Sequence, residues 1–218
     1  MFKIYKPEDL PKALPLFPLT GMMLLPRMRF PLSMEEPHAL SLVDDALKGD
    51  RMIGIIQPKT TEGTMPPLYA TGTAGRITAL DETDDGKYIL GVTGVCRFHL
   101  VQEIPTARDY RVGEVNYADY LSDLHVPEAY HFQRRTLMTQ LREFFDEQGI
   151  MVDWDMVGRT PDALLVNSLS VICPFDIAEK QALLEAVSVE KRLETLQTIL
   201  TFANMPGDNN GGAQRVLN

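Results

Sequence analysis

Four histidines, two cysteines and a few acidic pairs are the side chains in this sequence that could carry chemistry, and their spacing supports none. His38, His99, His125 and His131 form no HExxH pattern, and no His/Cys cluster has zinc-ligand spacing. His99 alternates with apolar neighbours and reads as a strand-face side chain. His125 and His131 flank a predicted helix start and are not read as ligands. Cys96 (VTGVCRF) and Cys173 (LSVICPF) lie in apolar surroundings outside any CxxC pair, so both are expected to be buried thiols without a disulfide. There is no GxSxG elbow, no GxxxxGK[ST] loop and no GxGxxG after a strand. The two glycines of GTAGR (72–76) have strand character on both sides, which is wrong for a phosphate cradle. Asp84–Asp85 and Glu35–Glu36 stand next to a turn and a helix start, as solvated charges and helix-dipole partners. The expectation is no catalytic residue, no metal ligand and no cofactor.

One segment is unusual in a physical rather than a chemical way. LPLFPLTGMMLLPRMRFPLSM (14–34) is charged only at Arg27 and Arg29 and holds four prolines and four methionines. Proline cannot donate to a strand ladder, so Pro15, Pro18, Pro26 and Pro31 point to edges or bulges. Unbranched methionines adapt to irregular partners. Leu14, Leu16 and Leu19 are expected to enter the core. Met22, Met23, Leu24 and Leu25, bracketed by Gly21 and Pro26, are expected at a rim, where with Phe30 they form the candidate peptide-binding patch. The patch would serve an unfolded client or weak self-association.

The elements that must position this patch change character near residue 125. Before it, short period-two runs predict strands over 13–19, 28–34, 52–57, 68–80, 88–103 and 110–120. Asp85–Gly86 predicts a hairpin turn, and the glycines of the long flanking strands predict bends that curl the sheet. One helix interrupts, HALSLVDDALKGD, with Leu40, Val43 and Leu47 on one face and Gly49 closing it. The segment 58–67 is a loop on composition. After residue 125 the period is helical. A helix is predicted from Pro127 to Gly149, a second N-capped by Thr160 and ended by Pro174, a third capped by Asp176, and a fourth with Val189, Leu193, Leu196, Leu200 and Ala203 on one seam. The predicted organisation is a β lobe over 1–124, a helical lobe over 125–204 and a disordered tail over 205–218. The net charge of −9, the acidic balance of both halves and the lack of any basic run beyond Arg134–Arg135 disfavour nucleic acid. With no signal-peptide pattern and no apolar run of spanning length, the expected compartment is the cytoplasm, without membrane association.

Four motifs in order converge on a known family. LPLFPL (14–19) followed by FPLSMEEP (30–37), then GTAGRI (72–77), DDGKYILGVTGVCRFHL (84–100) and KQALLEAVSVEKRLETL (180–196) resemble the N-terminal, substrate-binding domain of Lon proteases in its free-standing bacterial type. Gly94, Arg97, Phe98, Gln181, Leu184, Glu185, Arg192 and Leu193 carry the match. The sequence departs from that pattern where the family's Pro-Gly turn reads Pro26–Arg27, and at Glu35 and His38–Ala39, so partner preference does not carry over. The resemblance implies an α+β fold, a PUA-like β pseudo-barrel with one inserted helix followed by a C-terminal helical bundle. It implies a non-catalytic module that binds unfolded or tagged polypeptides, or a specific protein partner, without ATPase or protease modules. The alternatives are an RNA-binding PUA-like module and a small-molecule hydrolase built on Cys96 or a histidine.

Overall fold

The computed structural model describes residues 5–125 and 130–205. Six strands, β1 (Ala13–Pro18), β2 (Arg29–Met34), β3 (Met52–Pro58), β4 (Leu68–Glu82), β5 (Tyr88–Glu103) and β6 (Arg111–Asn116), form one mixed sheet in the order β2-β5-β4-β3-β1-β6. β6 also pairs with β5, so the ladders run β5-β4-β3-β1-β6 and return to β5, a closed circuit that leaves β2 outside it. Only β1 and β3 run parallel. Helix α1 (Pro37–Lys48) crosses between β2 and β3. The second half is helical: α2 (Arg134–Gln148), α3 (Trp154–Arg159), α4 (Asp162–Ile172), α5 (Ile177–Glu185) and α6 (Val189–Ala203). No helix of the described residues is long and apolar enough to cross a membrane.

Local chemistry explains most of these elements. The β4–β5 hairpin closes at Thr83–Gly86, where the Gly86 N–H donates to the Thr83 carbonyl and Gly86 takes φ 79°, which glycine adopts without strain. All of β3 is buried because both its faces are covered: Ile53 and Ile55 pack with Leu42 and Val43 under α1, while Met52 and Ile56 pack with Leu14, Leu16 and Phe98. Asp176 and Glu179 cap α5 reciprocally, and Gly149 ends α2 with a left-handed φ of 65°. The α6 seam is as expected, with Leu193, Leu196 and Leu200 buried and Val189 and Ala203 packed at its ends.

Several boundaries differ from the sequence-based expectation. The first long helix starts at Arg134 rather than Pro127, which lies outside the described residues, as does the tail beyond 205. Tyr130 therefore precedes the helix and stacks on Phe132. The last strand stops at Asn116, and Ala118–Leu124 forms a 3-10 turn. The α1 face expected through Leu40, Val43 and Leu47 does pack on the core, Val43 buried and Leu40 and Leu47 partly so, but the buried stripe is centred on Ala39, Leu42, Val43 and Ala46. Thr160 does not cap α4: its hydroxyl donates back to the Met156 carbonyl at 2.8 Å, ending α3 instead. Pro31 sits on the edge strand β2 as expected, but Pro15 and Pro18 lie in the interior strand β1. That strand is staggered, with β6 opposite Ala13–Leu16 and β3 opposite Leu16–Pro18, so each of these prolines faces only one ladder.

The near-chargeless segment joins the two halves. Residues 22–25 run between sheet and helices without regular secondary structure, and the side chains of Met23, Leu24 and Leu25 alternate between the two cores. Leu24 enters the core under α1, whereas Met23 and Leu25 enter the helical core beside Leu141, Phe144 and Leu196. The Thr73 hydroxyl donates to the Leu24 carbonyl at 2.6 Å. At the crossing point the Arg27 N–H donates to the Gly94 carbonyl and the Gly94 N–H to the Met28 carbonyl. A Cβ on Gly94 would lie 2.3 Å from the Leu25 carbonyl oxygen. Gly94→Ala is therefore expected to cost about 2 kcal/mol or more, because backbone rather than a flexible side chain would have to move. Urea unfolding measures it, and an unchanged midpoint would show that the crossing tolerates a methyl group.

Candidate binding groove

The expected apolar rim is not a surface. Met22 is 37% exposed, but Met23 and Leu24 are 3% exposed and Leu25 is fully buried. Phe30 is half-buried on β2. The reason is the position of the run: covered by sheet on one side and helices on the other, it needs no polar alternation, and a continuous apolar run is the sequence mark of cover on both faces.

An open concavity of about 630 Å³ lies beside this run, between the sheet and the helices. Pro26 and Met28 form the wall on the sheet side. Leu164 of α4 and Val187, in the link between α5 and α6, form the other and are 50% and 64% exposed. The floor is built from guanidinium groups. Arg97 on β5 is 2% exposed and takes both carboxylate oxygens of Asp123 at 2.9 Å, while its backbone N–H donates to the same carboxylate. Its remaining N–H groups reach the Leu184 and Ala186 carbonyls at 2.9 and 2.5 Å, and its face rests on Tyr120, 4.4 Å from the ring centroid. Arg192 donates to the Leu183 and Ala186 carbonyls and to the Asn167 amide oxygen. Arg27 donates to the Asp123 and Leu124 carbonyls.

A second ion cluster closes one end. Asp162 at the first turn of α4 accepts from Arg134, from the Phe132 N–H and from His131. Burial pushes its carboxyl pKa up, but the hydrogen bonds from Arg134 and Phe132 and the charge of Arg134 outweigh that and hold it below the usual carboxylate value. His125 and His131 both line the groove, as their spacing allowed, and no group of side chains suited to a metal occurs among the described residues. Cys96 donates to the Tyr120 carbonyl, and burial pushes its thiol up to about 12, as it does for Cys173. Both are protonated at neutral pH and unsuited to nucleophilic attack. His99 stands half-exposed beside Asp119 and Tyr120.

Several of the residues that matched the family motifs lie on the seam between sheet and helices, while Phe98 fills the sheet core. Arg97 and Arg192 meet at the Ala186 carbonyl, and Gln181 donates to the Thr71 carbonyl and accepts from Gln57. Sequence reasoning marked Arg27 only as a departure from the family's Pro-Gly turn and did not assign Arg134 or Asp162 to a site. The signal available for Arg27 was an arginine directly after Pro26 in an apolar run, at a position where a glycine would be unstrained.

Residues 13–201 match the family model described as the ATP-dependent protease La (LON) substrate-binding domain. Lon protease 2 of Myxococcus xanthus is 29% identical over 199 residues, which span 88% of this chain and 24% of that protein. The peroxisomal Lon protease homolog 2 of Xenopus laevis is 28% identical, over 88% and 25% of the two chains. This chain thus spans about a quarter of the length of the curated relatives it matches. Among solved structures, the Lon N-terminal domain protein from Xanthomonas campestris superposes with a TM-score of 0.61 at 24% identity, covering 85% of this chain and 97% of that one. The N-terminal domain of the Mycobacterium avium complex Lon protease gives 0.58 at 19% identity, covering 89% and 99%. The last two likenesses concern the fold.

Two outcomes follow from the geometry. Leu25→Asp is expected to cost several kcal/mol, because an unpaired charge would enter the helical core, whereas Met22→Asp should stay within about 0.5 kcal/mol. Thermal melts of both variants check this, and equal melts would mean that residue 25 is exposed in solution. Because the Asp162 pKa is lowered on folding, its contribution is present above the ordinary carboxylate pKa and fades as pH falls through the folded value. Asp162→Asn should therefore flatten the acid limb of the stability curve, measured as urea midpoints between about pH 6 and pH 3.

Proposed function

The chain belongs to the LON substrate-binding domain family, and from that premise we propose that it is a module that holds extended segments of other polypeptides in the groove between its sheet and its helices, and catalyses no reaction itself. One observation carries the reading: an open groove whose apolar wall residues, Leu164 and Val187, stand exposed above a rigidly held polar floor. Pockets that combine apolar walls with a few fixed polar groups suit ligands whose backbone and side chains both need partners. The protonated thiols argue against hydrolysis on Cys96. Of the residues expected to contact peptide, Met22 and Phe30 stay partly accessible but do not line the groove, and Met23, Leu24 and Leu25 are buried. The same proposal takes the closed strand circuit as a PUA-like pseudo-barrel over 1–124 and the helices as a bundle over 125–204, with the cytoplasm as its compartment.

The test is binding of reduced, alkylated α-lactalbumin, a permanently unfolded chain, by fluorescence anisotropy. Leu164→Asp and Val187→Asp are expected to weaken it at least about fivefold each while changing stability by no more than about 0.5 kcal/mol, since both sites are exposed. Unaltered binding by both stable variants would move the site elsewhere. Steep salt dependence of RNA binding, in place of client binding, would favour nucleic acid. ATP hydrolysis or casein cleavage by the pure chain, abolished by a point change, would refute the non-catalytic part.

A further inference from the structure

Three guanidinium groups, those of Arg27, Arg97 and Arg192, line the groove, and only one of them has a carboxylate. Asp123 is fully engaged by Arg97. Arg192 is 4% exposed and rests on two main-chain carbonyls and the Asn167 amide, and Arg27 rests on two main-chain carbonyls. Among the described residues no carboxylate pairs with Arg27 or Arg192. Arg97 and Arg192 converge on the same Ala186 oxygen, so like charges are held close together. Burial, followed by the neighbouring Arg97 charge, lowers the Arg192 pKa to about 10. Buried charges in proteins are paired, and here the buried Arg192 hydrogen-bonds only to dipoles, as does the half-buried Arg27. In a chain of net charge −9 this local excess is not a general property of the surface.

Arg27 adds an independent sign. Its φ is 66°, in the left-handed region that a residue with a Cβ seldom occupies. Such strain gathers where surrounding contacts over-determine it, commonly at ligand clamps. From this turn the guanidinium reaches the Asp123 and Leu124 carbonyls, and Arg27 lines the groove.

We propose, resting on the reading that the groove holds extended polypeptide, that its preferred occupant is a segment with an Asp or Glu side chain between apolar residues, the carboxylate seated against Arg27 and Arg192. The apolar neighbours lie against Pro26 and Met28 on one wall and Leu164 and Val187 on the other. An internal acidic side chain fits better than a chain terminus, because apolar cover stands on both walls and a terminus would use only one. A charge-assisted hydrogen bond of this kind is worth about tenfold in affinity over its neutral counterpart.

The experiment uses the full chain and blocked twelve-residue peptides of Gly and Ser carrying a central Leu-Glu-Leu or Leu-Gln-Leu, measured by anisotropy. A third peptide carries Leu-Gln-Leu with a free C-terminal carboxylate, and a uridine oligomer serves as the nucleic-acid arm. The Glu peptide is expected to bind about tenfold tighter than the Gln peptide, and Arg27→Gln and Arg27→Gly should each reduce that ratio below about twofold. Arg27→Gly should also melt no lower than the parent chain, since glycine relieves the φ strain, which separates loss of the ligand contact from loss of fold. Equal binding of the Glu and Gln peptides would leave a peptide groove and overturn its acid preference. Selective gain by the free terminus would overturn the internal side chain as the source. An unchanged ratio in both Arg27 variants would overturn the siting, and tighter binding of the uridine oligomer would assign the charge to nucleic acid. Failure of all peptides to bind would remove the underlying reading too.

Discussion

The structure depends on where the Arg97 guanidinium goes. It leaves strand β5 as a nearly fully buried cation, and its surroundings supply a carboxylate, two main-chain carbonyls and an aromatic face. Those partners come from three separate pieces of chain: the 3-10 turn after β6, the end of α5 and the link into α6. Desolvating a guanidinium costs several kcal/mol, and only a complete set of partners offsets it. The site therefore defines one docking of the helices on the sheet, because any slippage would strand a charge. Arginine suits the role better than lysine, since its planar fork can donate in several fixed directions at once.

Around that point the seam is polar on one flank and apolar on the other. Gln57, Gln181 and the Thr71 carbonyl tie β3 and β4 to α5, and Met23 and Leu25 fill the helical core from the sheet side. The polar ties are directional and fix geometry, while the apolar ones supply free energy in proportion to buried area. A groove bounded by so many fixed groups is pre-organised, and a ligand entering it has little to reorder.

Much of the fold was legible because the signals were local. The Asp85–Gly86 hairpin, the Asp176 cap, the Gly149 helix end and the α6 seam depend on neighbours within a turn or two. What was not legible depends on partners remote in sequence. Met22–Leu25 read as a rim because nothing local says that helices contributed by residues after 130 cover it. Pro15 and Pro18 read as edge residues because the stagger of β1 between two partners is a tertiary fact. The first long helix read as continuous from Pro127 because proline suits a first turn, yet residues 130–133 are not helical and α2 begins at Arg134. The site was harder still: Arg97 and Arg192 showed as motif positions, but their meeting at Ala186 follows from the packing of α5 and α6 against β5.

The buried Met22–Leu25 run has a consequence for synthesis. Its cover comes from helices encoded near the other end of the described chain, and β1 must likewise wait for β6. At about 5–20 residues per second, ribosomal elongation leaves this run without its native partners for on the order of ten seconds. During that interval a nascent chain presents two methionines and two leucines in a row with no charge among them, a segment of the kind that recruits holding chaperones or pairs with its own copies. Native contacts so distant in sequence also slow the final collapse. The segment that joins the two halves of the finished protein is thus the one most exposed to aggregation while the protein is being made.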